Sequence, residues 1–234
     1  MDGTITGIYC ERIGPGLFAE PLNAVTNGSF LIAAWAAGAL ARRSGGLSAG
    51  IWIMLALAAS VGIGSGLWHT LATPWAMILD VVPIALFLVW TLWLYARTVL
   101  RMPLPLVLAS MAAFLGISAY AQGFEEVLNG SLAYALALTV LLALGAYHAR
   151  QATPGRYSLL LAGGAYAIAL VFRVLDPEVC SAFPIGTHFL WHSFTGFAAY
   201  LAMRSLILSR GASMAEPGTD RSVAPNGRSE YRAA

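Results

Sequence analysis

Ile185-Gly186-Thr187-His188-Phe189-Leu190-Trp191-His192 opens the last long apolar run of the chain and holds two of its four histidines. Read as a helix, the i, i+4 spacing puts both imidazoles on one face, about a turn apart. The run that follows is long enough to span a bilayer. The pair would therefore sit within the membrane, where ionisable groups are costly unless they bind something. Two histidines on one face are half of a zinc site. The competing reading is a pair of interfacial histidines capping a transmembrane helix.

The rest of the chain has the same character. Of its 234 residues, 59% are hydrophobic and 10% charged, against about 25% charged in a soluble domain. Mean hydropathy is +0.72, so an integral membrane protein is expected. All 13 basic residues are arginine, and the net charge of +2 is too small to imply a nucleic-acid partner. Residues 1–27 hold no basic segment followed by an apolar one, so no cleavable signal is expected.

Apolar runs of spanning length, about 17–25 residues, fall at 22–41, 49–68, 75–96, 104–121, 130–148, 157–174 and 186–208. The first and fourth are the most diluted by polar residues or glycine. Short links marked by Gly or Pro join them, as at Gly45-Gly46, Thr73-Pro74, Met102-Pro103 and Pro154-Gly155. The fold expected is all-α: a seven-transmembrane helix bundle over 22–208, an extracytoplasmic segment 1–21, and a disordered cytoplasmic tail 209–234, polar from residue 211 on. Arginine placement orients it. Arg42, Arg43, Arg97, Arg101, Arg150, Arg156, Arg204 and Arg210 share one side. Arg12 and Arg173 fall on the other, with Glu11, Glu125, Glu126, Asp176 and Glu178. This puts the N-terminus outside and the C-terminus inside. The short loops suit a bacterial inner membrane, with the site toward the extracytoplasmic leaflet.

In that topology the outer ends of the second, third and seventh spans share one leaflet, and polar residues collect there. Ser65 and His69 end the second span at i, i+4. Asp80 lies one to two turns into the third and is the one acid deep within an apolar span. His188 and His192 open the seventh. At about 1.5 Å per residue all lie at similar depth. Three neutral imidazoles leave zinc one open position for water, the catalytic form of such a site. Its chemistry is to make water a nucleophile near neutral pH. No HExxH motif is present, so Asp80 is the available general base; its other reading is an orienting partner of a histidine. Ser65 is a candidate oxyanion donor, or forms an i−4 bond within its own helix. His148, at the inner end of the fifth span, is expected to be interfacial and no ligand. Trp68, Trp75, Phe189, Trp191 and Phe194 are near enough to line a pocket, with Trp68 and Trp191 foremost, or are interfacial aromatics. Cys10 and Cys180 both fall outside, where disulfides form, and are expected to be bonded.

Gly64-Ser65-x-x-x-His69, Asp80 eleven residues on, and His188-x-x-x-His192 together resemble the alkaline ceramidases. These belong to the wider CREST group of seven-span membrane hydrolases, which also includes the progestin and adipoQ receptors. Cys10-Glu11 and Glu20-x-x-Asn23-x-x-Thr26-Asn27 resemble the same pattern, and the resemblance runs from about residue 9 to 208. It implies a zinc-dependent amidase that splits a ceramide-like lipid into fatty acid and sphingoid base. By the same resemblance His69, His188 and His192 hold zinc, Asp80 handles the proton and Ser65 assists the oxyanion. Family members also resemble one another in a calcium-binding acidic cluster, which makes Glu11 and Glu20 candidate calcium ligands. Ile8 stands where that pattern has an Asp, so a calcium site here would lack one carboxylate. Glu11 and Glu20 otherwise form a solvated or Arg12-paired face. Alternatives to a ceramidase are a hydrolase of another membrane lipid and a zinc-stabilised seven-span lipid receptor.

Overall fold

The computed structural model describes residues 4–151 and 153–215, and every regular element among them is a helix. In order these are α1 (Pro21–Thr26), α2 (Gly28–Arg43), α3 (Ala49–Leu71), α4 (Pro74–Thr98), α5 (Leu104–Ala121), α6 (Leu132–Ala149), α7 (Ser158–Val179) and α8 (His188–Ala215). Local chemistry marks the ends. Pro21 and Pro74 sit in the first turns of α1 and α4, where a missing N–H costs nothing. The Ser48 side chain caps α3 by accepting from Ile51 N–H. Arg42 and Arg43 lie in the last turn of α2, where cations complement the helix dipole.

Six helices are long and apolar enough to cross a membrane: Pro21–Arg43, Ala49–Leu71, Pro74–Thr98, Leu104–Ala121, Leu132–Ala149 and Ser158–Val179. The first joins α1 to α2 through Asn27, whose backbone stays in the right-handed helical region (φ −64°, ψ −18°). The run expected at 186–208 is α8, which falls outside those six. Its apolar character is diluted by His188, His192, Ser193, Thr195, Arg204 and Ser205. These residues are tolerated because α8 is packed by protein, chiefly α7 and α2, with contacts to α1, α3 and α4. Ala198, Ala199, Ala202, Met203, Leu206 and Ile207 on α8 are all buried. Helix continues to Ala215, and the remainder of the expected tail, 216–234, lies outside the described residues.

One apolar core joins α2, α3 and α8, and a second joins α6, α7 and α8. The outward faces are apolar too. Trp35, Ile78, Val82, Leu106 and Leu161 are exposed, as expected of helices solvated by acyl chains with every backbone bond satisfied within the helix. Between the cores, α3, α4, α6, α7 and α8 enclose a cavity of about 290 Å³.

Candidate metal centre

His69 lies in the last turn of α3, and His188 and His192 in the first two turns of α8. All three are at most 2% exposed. Their ligand atoms lie within 4.8 Å of one another, and the ring centroids stand 4.6–5.3 Å apart. The sequence expectation that these three histidines converge is met.

The start of α8 is held by Asp176, near the end of α7. Its Oδ1 accepts the backbone N–H groups of Thr187 at 2.6 Å and His188 at 2.9 Å. The Thr187 hydroxyl donates to Phe172 O at 2.6 Å. Gly186 enters this turn at φ +68°, and a Cβ there would lie 2.1 Å from Asp176 Oδ1. Only glycine combines that left-handed backbone with that proximity. One turn further on, Ser29 on α2 donates to His192 O at 2.8 Å.

The ring nitrogens are fixed in turn. His69 Nδ1 is hydrogen-bonded to the Glu20 carboxylate. His192 Nδ1 lies 3.2 Å from Thr26 Oγ1, whose own hydroxyl donates to Leu22 O at 2.7 Å. Thr26 therefore receives the Nδ1–H of His192, which leaves Nε2 of that ring unprotonated. His69 Nε2 and His188 Nδ1 are buried without any hydrogen-bond partner. Buried orphan nitrogens on converging imidazoles, two of them oriented through their other nitrogen, fit a metal ion.

Asp80 and Ser65 come close because α3 and α4 approach closely. A Cβ on Gly64 would lie 1.9 Å from Leu79 O. That carbonyl has no N–H to bond four residues on, since Pro83 stands there. The result sets Ser65, which is buried, within hydrogen-bonding reach of the Asp80 carboxylate. Asp80 Oδ1 is buried without a partner. Both residues line the cavity beside His188 and His192, as do Trp68 and Trp191. Asp80 is not part of the metal-ligand group, which among the described residues comprises the three histidines. Trp75 is exposed, and Phe194 packs against Phe172. His148 is fully buried, 3.1 Å from Tyr95 Oη, and stands apart from the histidine group.

Glu11 and Glu20 do not fit a calcium site. Glu11 accepts the N–H groups of Leu22 at 2.8 Å and Asn23 at 2.9 Å, and so caps α1. Glu20 is bonded to Arg12 through one oxygen, and to His69 and Asn23 Nδ2 through the other. All four carboxylate oxygens already have donors, and Ile8 brings no further carboxylate toward the six to eight oxygen ligands calcium takes. A cation is already present: Arg12, 3% exposed, also donates to Gly16 O at 3.2 Å and His69 O at 2.7 Å. Burial pushes the Glu20 carboxyl up, but the donors from His69, Asn23 and Arg12 outweigh it and hold it below the ordinary range.

Cys10 and Cys180 are disulfide-bonded, as expected. The bond ties the N-terminal segment over the site, and Cys10 N–H donates to Asp176 Oδ2 at 3.2 Å. This brings in Tyr9, which sequence reasoning did not single out. Its ring stacks on His188 at 4.0 Å and lies 5.0 Å from His69, and burial pushes its phenol up to about 12. Arg12, Asp176 and Thr26 were likewise missed as site residues. Nothing in a short polar loop says which of its residues folds back, although Asp176, placed just ahead of the turn into α8, has the position of a cap.

A family model described as Ceramidase matches residues 9–223, most of the chain. A comparison with curated proteins gave no significant match. The matched region takes in the three histidines, Asp80, Ser65 and the disulfide, and the chain belongs to the ceramidase family.

Proposed function

We propose that this protein is a seven-span, zinc-dependent amidase that hydrolyses the N-acyl amide of ceramide-like membrane lipids to a fatty acid and a long-chain amine. The observation that carries this reading is the buried group of His69, His188 and His192 beside an apolar cavity also lined by Asp80 and Ser65. Family membership supports a ceramide-type substrate. We further infer that α8 is the seventh span, with the N-terminus outside, on the arginine distribution.

His69, His188 and His192 would hold the metal. Bound zinc supplies Lewis acidity and makes water a competent nucleophile near neutral pH. Asp80 takes the proton released as water adds to the amide carbonyl. It returns that proton to the amide nitrogen as the C–N bond breaks, since an amine leaves poorly unless protonated. Ser65 turns its single O–H toward the carbonyl oxygen as negative charge develops there. Glu20 and Thr26 orient the ligand rings. Trp68 and Trp191 give the acyl chain apolar walls and exclude water.

The test is incubation of the purified protein with labelled ceramides and phospholipids, with and without chelator, and product identification by mass. Fatty acid and sphingoid base are expected, lost with chelator and restored by zinc. Retained zinc with no turnover of any N-acyl lipid would overturn the reading in favour of a zinc-stabilised receptor.

A further inference from the structure

Arg173 stands six residues before the end of α7, about 9 Å deep at the helical rise. A guanidinium at that depth in an apolar span is costly and usually has a use. Its Cζ lies 4.6 Å from the Tyr134 ring centroid and 5.5 Å from that of Trp191, so two π faces hold it. It makes no ion pair among the described residues. What it does make is a hydrogen bond to the Tyr9 hydroxyl. Its Nε is buried without a partner, so that bond comes from a terminal nitrogen.

Trp68 of α3 meets the same hydroxyl from another side, through its indole N–H. A guanidinium and an indole N–H can only donate. The Tyr9 oxygen therefore accepts twice, which uses both of its lone pairs, and its one hydrogen has to point elsewhere. Among the described residues no acceptor takes that hydrogen. Asp80, whose charge reaches the phenol, is bonded to Ser65 instead. Tyr9 lines the cavity with Ser65, Asp80 and His188, and its ring lies on His188 at 4.0 Å and 5.0 Å from His69. The phenol thus belongs to the cavity wall next to the histidine group. Accepting from a cation polarises its O–H and makes it a stronger donor. The next residue, Cys10, is bonded to Cys180 and donates its N–H to Asp176. A donor fixed in this way before substrate arrives is the kind that stabilises developing charge.

We propose that Tyr9 is a catalytic residue, its hydroxyl serving beside Ser65 as a second hydrogen-bond donor to the scissile carbonyl oxygen, with Arg173 and Trp68 as positioning residues that aim it. This rests on the amidase reading above. When the water oxygen bonds to the carbonyl carbon, the C=O π pair moves onto oxygen, and two O–H groups from different parts of the chain meet it there. Tyr9 keeps its proton throughout, while Asp80 carries the one that passes from water to the amine. A neutral amide carbonyl is the group such a donor reads, in keeping with an uncharged ceramide-like lipid.

The test pairs turnover of a labelled ceramide with the infrared C=O stretch of a bound ketone isostere of ceramide. In that isostere a methylene replaces the amide nitrogen, so no C–N bond can break, and its carbonyl carries an isotope label. Tyr9→Phe keeps the ring on His188 and removes the O–H. Its kcat should fall about 10²-fold, with KM little changed and zinc stoichiometry intact. The bound C=O stretch should lie at higher frequency than in the wild type, because a lost hydrogen bond stiffens the carbonyl. Arg173→Gln should lose about tenfold in kcat, and almost nothing further in the Tyr9→Phe background, since it acts through the phenol. Arg173→Lys can still donate and should keep most of the activity. An unmoved stretch or unchanged kcat in Tyr9→Phe, or zinc lost together with turnover, would overturn the proposal. Losses from Tyr9→Phe and Arg173→Gln that simply add would overturn the positioning role of Arg173. If the wild type hydrolyses no N-acyl lipid but the stretch still shifts in Tyr9→Phe, the amidase reading fails and the Tyr9 donor stands.

Discussion

Glu20 is bonded to Arg12 on one side and to a zinc-ligand candidate, His69, on the other. Glu20→Gln removes the charge both partners need. Arg12 is left buried without its counterion, and one amide oxygen cannot serve both Arg12 and His69 as the two carboxylate oxygens do. Zinc affinity, measured by chelator competition, should fall about 10–100-fold, the usual cost of losing an outer-shell carboxylate. Calorimetry with calcium on the zinc-loaded protein should show no site, since Arg12 already meets the Glu20 charge. Asp80 makes a different prediction, because it lies outside the ligand group. Asp80→Asn is nearly isosteric and should keep zinc at full stoichiometry while turnover drops about 10²–10⁴-fold, the value of a general acid–base. Ser65→Ala should keep zinc and lose about 10–10²-fold, because a single hydroxyl is an incomplete oxyanion hole. Zinc lost together with turnover in Asp80→Asn would make Asp80 a ligand or orienting residue instead.

Among the elements, the contact between α3 and α4 decides whether Ser65 meets Asp80. Gly64 permits it and the free Leu79 carbonyl faces it. Gly64→Ala must push the helices apart, at a cost of about 1–3 kcal/mol for an overpacked contact. Turnover should fall more steeply than zinc content, because the histidines sit on α3 and α8 and not on α4. Gly164→Ala on α7 is the control. Nothing lies within 4 Å of its added Cβ, so helix stability should hold or rise by up to about 1 kcal/mol. A thermal-melt comparison of the two variants, read beside their activities, separates a close-approach glycine from a dispensable one.

For the molecule as a whole, the disulfide and the topology carry the predictions. Cys10–Cys180 joins residues 170 positions apart in the chain and holds Tyr9 and Arg12 over the histidines. Reduction should raise amide hydrogen exchange across residues 5–20 and speed zinc loss to chelator, while exchange within α3 and α7 stays slow. Unchanged exchange in that segment would mean that Arg12 and Asp176 suffice to hold it. A reporter at the C-terminus should read cytoplasmic, and one inserted at Glu125, between α5 and α6, should read extracytoplasmic. The opposite pair would place the metal centre in the other leaflet and change the lipids that reach it.

The helices were legible in the sequence because membrane spans are set by local composition. Six expected runs return as apolar helices, with ends at prolines, glycines and arginines. The three histidines and the cysteine pair were legible because few residues can do their chemistry and helix ends at one depth must be neighbours. α8 shows the limit of that reasoning. Its mean hydropathy is lowered by the very residues that make the site, and its burial follows from packing against α7 and α2. Tertiary structure alone assigned Glu20 to His69, Thr26 to His192 and Asp176 to the start of α8. It also turned the expected calcium ligands into a helix cap and an arginine pair, and brought Tyr9 and Arg173 to the cavity. Those partnerships depend on how a short polar segment folds back across the ends of helices distant in sequence. No periodicity or spacing records that, because each contact is a single side chain meeting one other group, 8 residues away for Glu20 and Arg12 and 166 for Thr26 and His192.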